Sequence, residues 1–181
     1  KTIEVNNAEA IEFLKDVVNI NSGTMNHEGV KKVGDVFAKA FEAIGFKSSW
    51  YDMSQVNRSG HLFAETSGDK GKKLLLIGHL DTVFEENSPF QEFKMVNDSI
   101  AHAPGGNDMK GGNVIILYAL KALADNGLLK NAQIIAAFTG DEEATGKPLT
   151  ISRKHLIEAG KQSDIALGFE NSTGFNDATI A

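Results

Sequence analysis

Apolar side chains recur along the chain at two different periods, and the switches between them outline a succession of helices and strands. Ala8 to Ile20 places Ile11, Leu14, Val17 and Val18 at helical spacing, with Asn6 and Asn7 available as caps. Asn26 to Ile44 repeats that pattern through Val30, Val33, Phe37, Phe41 and Ile44, and Gly45 supplies a stop. Short strand-like runs follow at Phe46–Asp52, His61–Glu65 and Lys73–Ile77. Leu74-Leu75-Leu76-Ile77 is apolar on both faces, as a central strand between two helical layers must be. Gln91–Val96 and Ser99–Ala103 flank Asn97-Asp98, which predicts a hairpin. Asn113–Asn126 is apolar nearly all round and ends at Gly127, which predicts a buried helix. Gln133–Thr139 reads as another central strand, Pro148–Ala159 as one helix, and Ile165–Phe169 as a further strand.

Strands alternating with helices predict an α/β fold, a three-layer αβα sandwich around a mixed, largely parallel sheet. There is no internal repeat and no interdomain linker, and the long loops between Asp81 and Pro104 carry no separate core. A length of 181 residues at 41% hydrophobic content suffices for one domain with a true core. The net charge of −6 and the absence of a Lys/Arg cluster argue against nucleic acid as a partner. No apolar run approaches the ~20 residues of a membrane span; Val114–Leu123 is too short and contains Lys121. With no cysteine, disulfides and thiolate metal sites are excluded, so any metal must be held by His, Asp and Glu. The start at Lys1 fits removal of a leader and equally a trimmed start.

Polar residues gather where three strands end. His79-Leu80-Asp81 follows Leu74–Ile77, Gly140-Asp141-Glu142-Glu143 follows Gln133–Thr139, and Glu170 follows Ile165–Phe169. Open α/β sheets bind ligands at the carboxyl ends of their strands, so these segments point to one edge. Asp108 lies between Gly105-Gly106 and Gly111-Gly112, whose freedom lets the backbone turn sharply toward the same place. The glycine-rich stretch is not a phosphate loop, because Lys110 precedes Gly111 and neither Ser nor Thr follows. Asp81, Asp108, Glu142, Glu143 and Glu170 would put five carboxylates at one end of a sheet. Like charges that close oppose folding unless cations intervene, and two divalent ions nearly balance them. Each piece alone has a plainer reading as solvated surface. His27 and His155 on helix surfaces, and His61 and His102 at loops or strand edges, read as solvated or structurally bonded. Asn57-Arg58-Ser59, Asn97-Asp98-Ser99 and Asn171-Ser172-Thr173 match glycosylation acceptors at a frequency that chance supplies.

Gly78-His79-Leu80-Asp81-Thr82-Val83, Gly106-Asn107-Asp108-Met109-Lys110-Gly111-Gly112 and Thr139-Gly140-Asp141-Glu142-Glu143 resemble, in order, the three signature segments of the M20 metallopeptidases. Asn19-Ile20-Asn21-Ser22-Gly23-Thr24 and Leu167-Gly168-Phe169-Glu170 are most similar to the glutamate carboxypeptidase branch. The resemblance implies a zinc exopeptidase-like fold holding two Zn²⁺, with Co²⁺ or Mn²⁺ as substitutes. It implies that His79 and Glu170 bind one ion and Glu143 the other, with Asp108 bridging. Asp81 would orient His79 by accepting its other imidazole N–H, Glu142 would be the general base, and the Asp108-Met109 peptide would be cis. The implied partner is a small peptide or N-acyl amino acid, cleaved next to a carboxyl-terminal residue, with glutamate a candidate.

The resemblance further implies that residues 1–181 are the amino-terminal part of a catalytic domain. A lid or dimerisation domain, through which the parent protein would form a homodimer, and the resumed catalytic part with a last ligand His are expected outside it. The isolated chain is therefore expected to be a weak or dead catalyst. The start without Met, the lack of cysteine and the resemblance together lean toward an exported or periplasmic protein. An aminoacylase or dipeptidase shares this chemistry, and a non-catalytic metal-binding or assembly module would share the fold. Intact Glu142 speaks against the last, since a purely structural site has no use for a base that binds no metal.

Overall fold

The computed structural model describes residues 2–171. Its first helix, α1 (Thr2–Val18), starts earlier than Ala8, so Asn6 and Asn7 lie within it rather than capping it. Packing decides this: Ala10, Phe13, Leu14 and Val17 all lie against the main core, and that burial outweighs the small helix cost of two asparagines. The second helix, α2 (His27–Ala43), has the expected bounds. Asn26 opens it by accepting the Gly29 N–H at 2.9 Å. Gly45 closes it at φ 91°, a left-handed conformation that glycine adopts without strain.

Five strands form one sheet: β1 (Lys47–Asp52), β2 (Gly60–Glu65), β3 (Lys70–His79), β6 (Ala132–Thr139) and β7 (Ile165–Gly168), in the order β1-β2-β6-β3-β7. The pairings of β1 with β2 and β2 with β6 are antiparallel, and those of β6 with β3 and β3 with β7 are parallel. The sheet is thus mixed, with its parallel part confined to the three strands whose ends carry the candidate ligands. A separate hairpin, β4 (Lys94–Asn97) and β5 (Ile100–His102), stands apart. Its turn sits one residue later than expected, at Asp98-Ser99, because the Asn97 side chain accepts the Ser99 N–H at 2.9 Å. Gln91 falls outside β4, and its amide instead meets the Asn21 side chain at 2.7 Å.

Helices cover both faces of the sheet, which makes the three layers. On one face α1, α2 and α3 (Gly111–Asp125) enclose a core with Phe37, Phe41 and Phe138 fully buried at its centre. Each such ring contributes about 1.5–3 kcal/mol by burial, so the floor beneath the site is rigid. Helix α3 is not buried all round: Val114, Ile116, Leu117 and Leu120 face the core, whereas Ile115 is 61% exposed. On the other face Phe63, Leu75, Ile135 and Ala137 pack against Ala159 and Leu156. The helix expected over Pro148–Ala159 is two, α4 (Leu149–Ser152) and α5 (Lys154–Gln162). The break falls at Arg153, with φ −105° and ψ 2°, whose guanidinium turns inward to Asp141. Edge strand β7 is exposed along its whole length.

Candidate metal centre

Because β3, β6 and β7 run in parallel, their carboxyl ends meet at one rim. His79 lies opposite Thr139, and Ile77 opposite Gly168. That register brings His79, the Gly140–Glu143 segment and Glu170 to a common edge. Asp108 arrives from an irregular turn over Gly106–Lys110, in which Asp108 and Met109 are non-helical and the peptide between them is cis. The first turn of α3, which follows, packs closely on the chain leaving β7, because a Cβ at Gly112 would lie 2.0 Å from the Phe169 carbonyl oxygen.

Within this rim the His79 Nε2 stands 2.9 Å from Asp108 Oδ1 and 3.8 Å from Glu170 Oε1. All three donor atoms lie within 4.8 Å of one another. The imidazole is buried, and burial alone would depress its pKa. Hydrogen bonding and charge from Asp81, then Glu170 and Asp108, overcome this and lift it to about 9. Glu143 is pushed up by burial and by the negative charge of Asp108, and Glu170 by burial with Asp108 and Glu142 nearby. Negative charge is therefore crowded here beyond what one imidazole neutralises. One nitrogen donor, several carboxylate oxygens and no sulfur suit a hard or borderline divalent cation.

Asp81 occupies a more central place than a single bond to His79 would require. It is fully buried, and its Oδ1 accepts the Glu142 N–H at 3.0 Å while Oδ2 accepts the Glu143 N–H at 3.1 Å. Thr24 Oγ1 adds a third hydrogen bond to Oδ2, at 2.7 Å. The His79 Nδ1–H points to the Asp81 backbone oxygen at 3.0 Å, with the carboxylate Oδ1 slightly farther at 3.4 Å. Burial opposes the charge on Asp81, but the bonds from His79, Thr24 and Glu142 hold its pKa below the ordinary range. Asn113 Nδ2 donates to the His79 carbonyl at 2.6 Å and Ser22 Oγ to the Leu80 carbonyl at 2.8 Å. One carboxylate thus links the histidine, the Glu142-Glu143 backbone and the Ser22–Thr24 loop. Glu142 is exposed and its side chain is free to face a substrate.

Lys110, His61 and Arg153, which the sequence did not mark as site residues, lie beside the rim, the first two buried and the third partly so. Lys110 is 1% exposed, and its Nζ donates to the carbonyls of Val17 and Ile20, both at 2.9 Å. Burial pushes its pKa down to about 7. His61, expected to be solvated or structurally bonded, is the latter: it is fully buried, with Nε2–H donating to the Ser152 carbonyl at 2.8 Å and Nδ1 accepting the Gly140 N–H at 3.1 Å. Burial holds that ring below its usual pKa. Arg153 reaches Asp141. His155 stacks on Tyr51 at 3.8 Å between centroids, away from the rim. Asn171 is the last described residue, and the remainder of its acceptor pattern lies outside the described residues.

The family model for peptidase family M20/M25/M40 matches residues 75–179. The chain is 32% identical over 164 residues to carboxypeptidase G2 of Pseudomonas sp. (strain RS-16), covering 88% of this chain and 38% of that protein. It is 29% identical over 175 residues to a putative LysW-lysine/LysW-ornithine hydrolase of Thermococcus kodakarensis, covering 93% and 44%. Among solved structures, human carnosine dipeptidase 1 superposes with a TM-score of 0.75 at 20% identity, covering 92% of this chain and 39% of that one. The M20 family metallo-carboxypeptidase Sso-CP2 of Sulfolobus solfataricus gives 0.69 at 21% identity, covering 88% and 37%. The chain spans under half the length of these relatives, and the solved structures share its fold.

Proposed function

The chain belongs to peptidase family M20/M25/M40, and from that premise we propose that it carries most of the metal site of a two-zinc hydrolase that cleaves an amide next to a carboxyl-terminal residue. The observation that carries the reading is the convergence of His79, Asp108 and Glu170 donors within 4.8 Å at the ends of parallel strands. The family implies divalent metal ions. In our reading His79 and Glu170 hold one zinc, Glu143 the other, and Asp108 bridges, with Co²⁺ or Mn²⁺ as substitutes. The ions would supply a water acidified toward a pKa of ~7 and a polarised scissile carbonyl.

The protein's own residues do the rest. Asp81 keeps the His79 Nδ1–H engaged, which leaves Nε2 as the metal-facing nitrogen. Glu142, whose N–H is fixed by Asp81 while its carboxylate stays exposed, takes the proton from the attacking water and returns it to the leaving amine. Asp108 and Glu143 alone make too few ligands for the second ion, since catalytic zinc keeps about three protein ligands. A further ligand from outside the described residues completes the site in the full-length protein, so the isolated chain turns over poorly.

The substrate is a small peptide or an N-acyl amino acid. Likeness to a carboxypeptidase and to lysine/ornithine hydrolases supports release of an amino acid from an amide, with glutamate the first leaving residue to test. A homodimer formed through a domain outside this chain belongs to the same reading. Among the described residues no helix is long and apolar enough to cross a membrane.

A panel of N-acyl amino acids and dipeptides, assayed with full-length protein and added zinc, tests the proposal. Turnover should vanish with chelator, return with Zn²⁺, and fall roughly 10²–10⁴-fold in Glu142→Gln. Full turnover in excess chelator overturns the metal mechanism, and full turnover of Glu142→Gln overturns the base.

A further inference from the structure

The segment carrying Glu142 and Glu143 leaves β6 at Gly140 and is held from two sides. One side is Asp81, which fixes the Glu142 and Glu143 amides. The other is a buried polar cluster with no part in the chemistry above. Asp141 points away from the rim and is fully buried. Its Oδ1 receives Arg153 NH1 at 2.5 Å and its Oδ2 the Gly146 N–H at 2.9 Å. The second arm of Arg153 donates to the Asp141 carbonyl at 3.2 Å and to Thr145 Oγ1 at 2.9 Å. A planar fork with fixed donors suits this role, because one group grips a carboxylate, a carbonyl and a hydroxyl together.

The cluster closes on itself. His61 ties the Gly140 amide to the Ser152 carbonyl, and Ser152 Oγ donates to the Gly146 carbonyl at 2.7 Å. The two residues at the break between α4 and α5, Ser152 and Arg153, therefore hold both ends of the segment 140–146. A surface helix gains little from breaking to turn a partly buried arginine onto a buried carboxylate, since such pairs barely offset their desolvation. The segment is gripped from both sides: the Asp141 side chain in the clamp, and the next two amides, of Glu142 and Glu143, on Asp81.

We propose that Arg153, acting through Asp141 and supported by His61 and Ser152, is a positioning residue that sets where Glu142 and Glu143 stand over the rim. The inference rests on the base and ligand roles given above for those two residues. A clamp of this kind acts on the chemical step and on metal affinity more than on substrate capture. A misplacement of about 1 Å in such a group costs on the order of 10²-fold in rate.

The test uses full-length protein, with Arg153→Met, Arg153→Lys and Ser152→Ala compared with wild type. Four quantities are read: kcat and KM, Co²⁺ affinity by visible absorption, amide hydrogen exchange over residues 140–146 without metal, and thermal stability. Arg153→Met should lower kcat roughly 10–100-fold with KM nearly unchanged, weaken Co²⁺ binding and speed exchange at Glu142, Glu143 and Gly146. Arg153→Lys should recover part of each. Ser152→Ala removes one hydroxyl, mild enough to fold if Arg153→Met does not, and should lower kcat several-fold with faster exchange at Gly146.

A folded Arg153→Met protein with wild-type kcat, Co²⁺ affinity and exchange, altered only in thermal stability, overturns the proposal. So does a Ser152→Ala protein unchanged in kcat and exchange. Should Glu142→Gln keep full turnover, the base assignment fails by itself. The clamp is then judged by exchange and Co²⁺ affinity, which do not depend on that base.

Discussion

His79 closes β3 and His61 opens β2, and the two rings are about equally buried, at 1% and 0% exposed. Because β2 runs antiparallel to β6, the start of one lies beside the end of the other, so both rings sit near the same rim. Their partners differ. Around His79 stand Asp81, Asp108 and Glu170, and the ring is held protonated up to about pH 9. His61 meets two backbone groups, with Asp141 3.9 Å away and already paired to Arg153, and burial keeps it neutral. Burial by itself says nothing of a histidine's work. The net charge of its neighbours separates a ring suited to a cation from one that ties loops together.

Four measurements press on that contrast. The largest effect is expected from His79→Ala, which removes a proposed ligand outright. Zinc affinity should fall by more than the roughly 10–100-fold that losing an outer partner costs, as read by calorimetry on full-length protein. His61→Ala should leave most of that affinity in place. Equal losses from both variants would erase the distinction.

Acidity comes next. If His79 binds metal as proposed, the ion displaces its proton, so apparent affinity should rise roughly tenfold per pH unit up to about 9 and then level off. The two rings also pull metal-free stability in opposite directions. His79 has a folded pKa raised from 6.5 to about 9, so its contribution is full below 6.5 and is lost as pH rises to 9. His61 has a folded pKa below 6.5, so its contribution is lost as pH falls under that value. Denaturant titrations across pH should show His79→Ala flattening the alkaline limb and His61→Ala the acid limb.

Third, His61→Leu strands the Gly140 N–H and the Ser152 carbonyl, each costing about 1–3 kcal/mol when left buried and unpaired. Chemical denaturation reads that loss directly. Smallest is Thr24→Val, which leaves Asp81 its two amide bonds and should weaken metal binding only a few-fold. An effect as large as that of His79→Ala would make the Ser22–Thr24 loop part of the site rather than its support.

The sequence singles out His79, Asp108, Glu143 and Glu170 as candidates for a local reason. Each follows an apolar run or sits among glycines, so composition changes abruptly where the chain leaves the sheet. The strands were legible because Leu74–Ile77 and Gln133–Thr139 must be buried on both faces. Nothing comparable marks His61, Lys110 or Arg153. The partners of the first two lie 79 and 93 residues away, at Gly140 and Val17, beyond any window of neighbouring residues, and that of Arg153 lies 12 away, across a loop whose path the sequence does not set. The broken helix at Arg153 was missed for the same cause: a helical period persists across it, and only the inward pull of Asp141 interrupts it. Asn6 and Asn7 misled because they look like caps, while the contacts that carry α1 through them come from distant core residues such as Phe37.

The tie from Lys110 to the end of α1 also bears on the order in which this molecule comes together. The last carbonyls of the first helix are captured by a lysine that emerges from the ribosome some ninety residues later. Until it arrives, that end of α1 is held by core contacts such as those of Val17, and the Val17 and Ile20 carbonyls lack this donor. Closing so long a loop is slow compared with forming the helices it joins. The contact between the turn bearing Asp108 and the end of α1 is therefore among the longest-range ties near the rim, and it is expected to close after the helices themselves form.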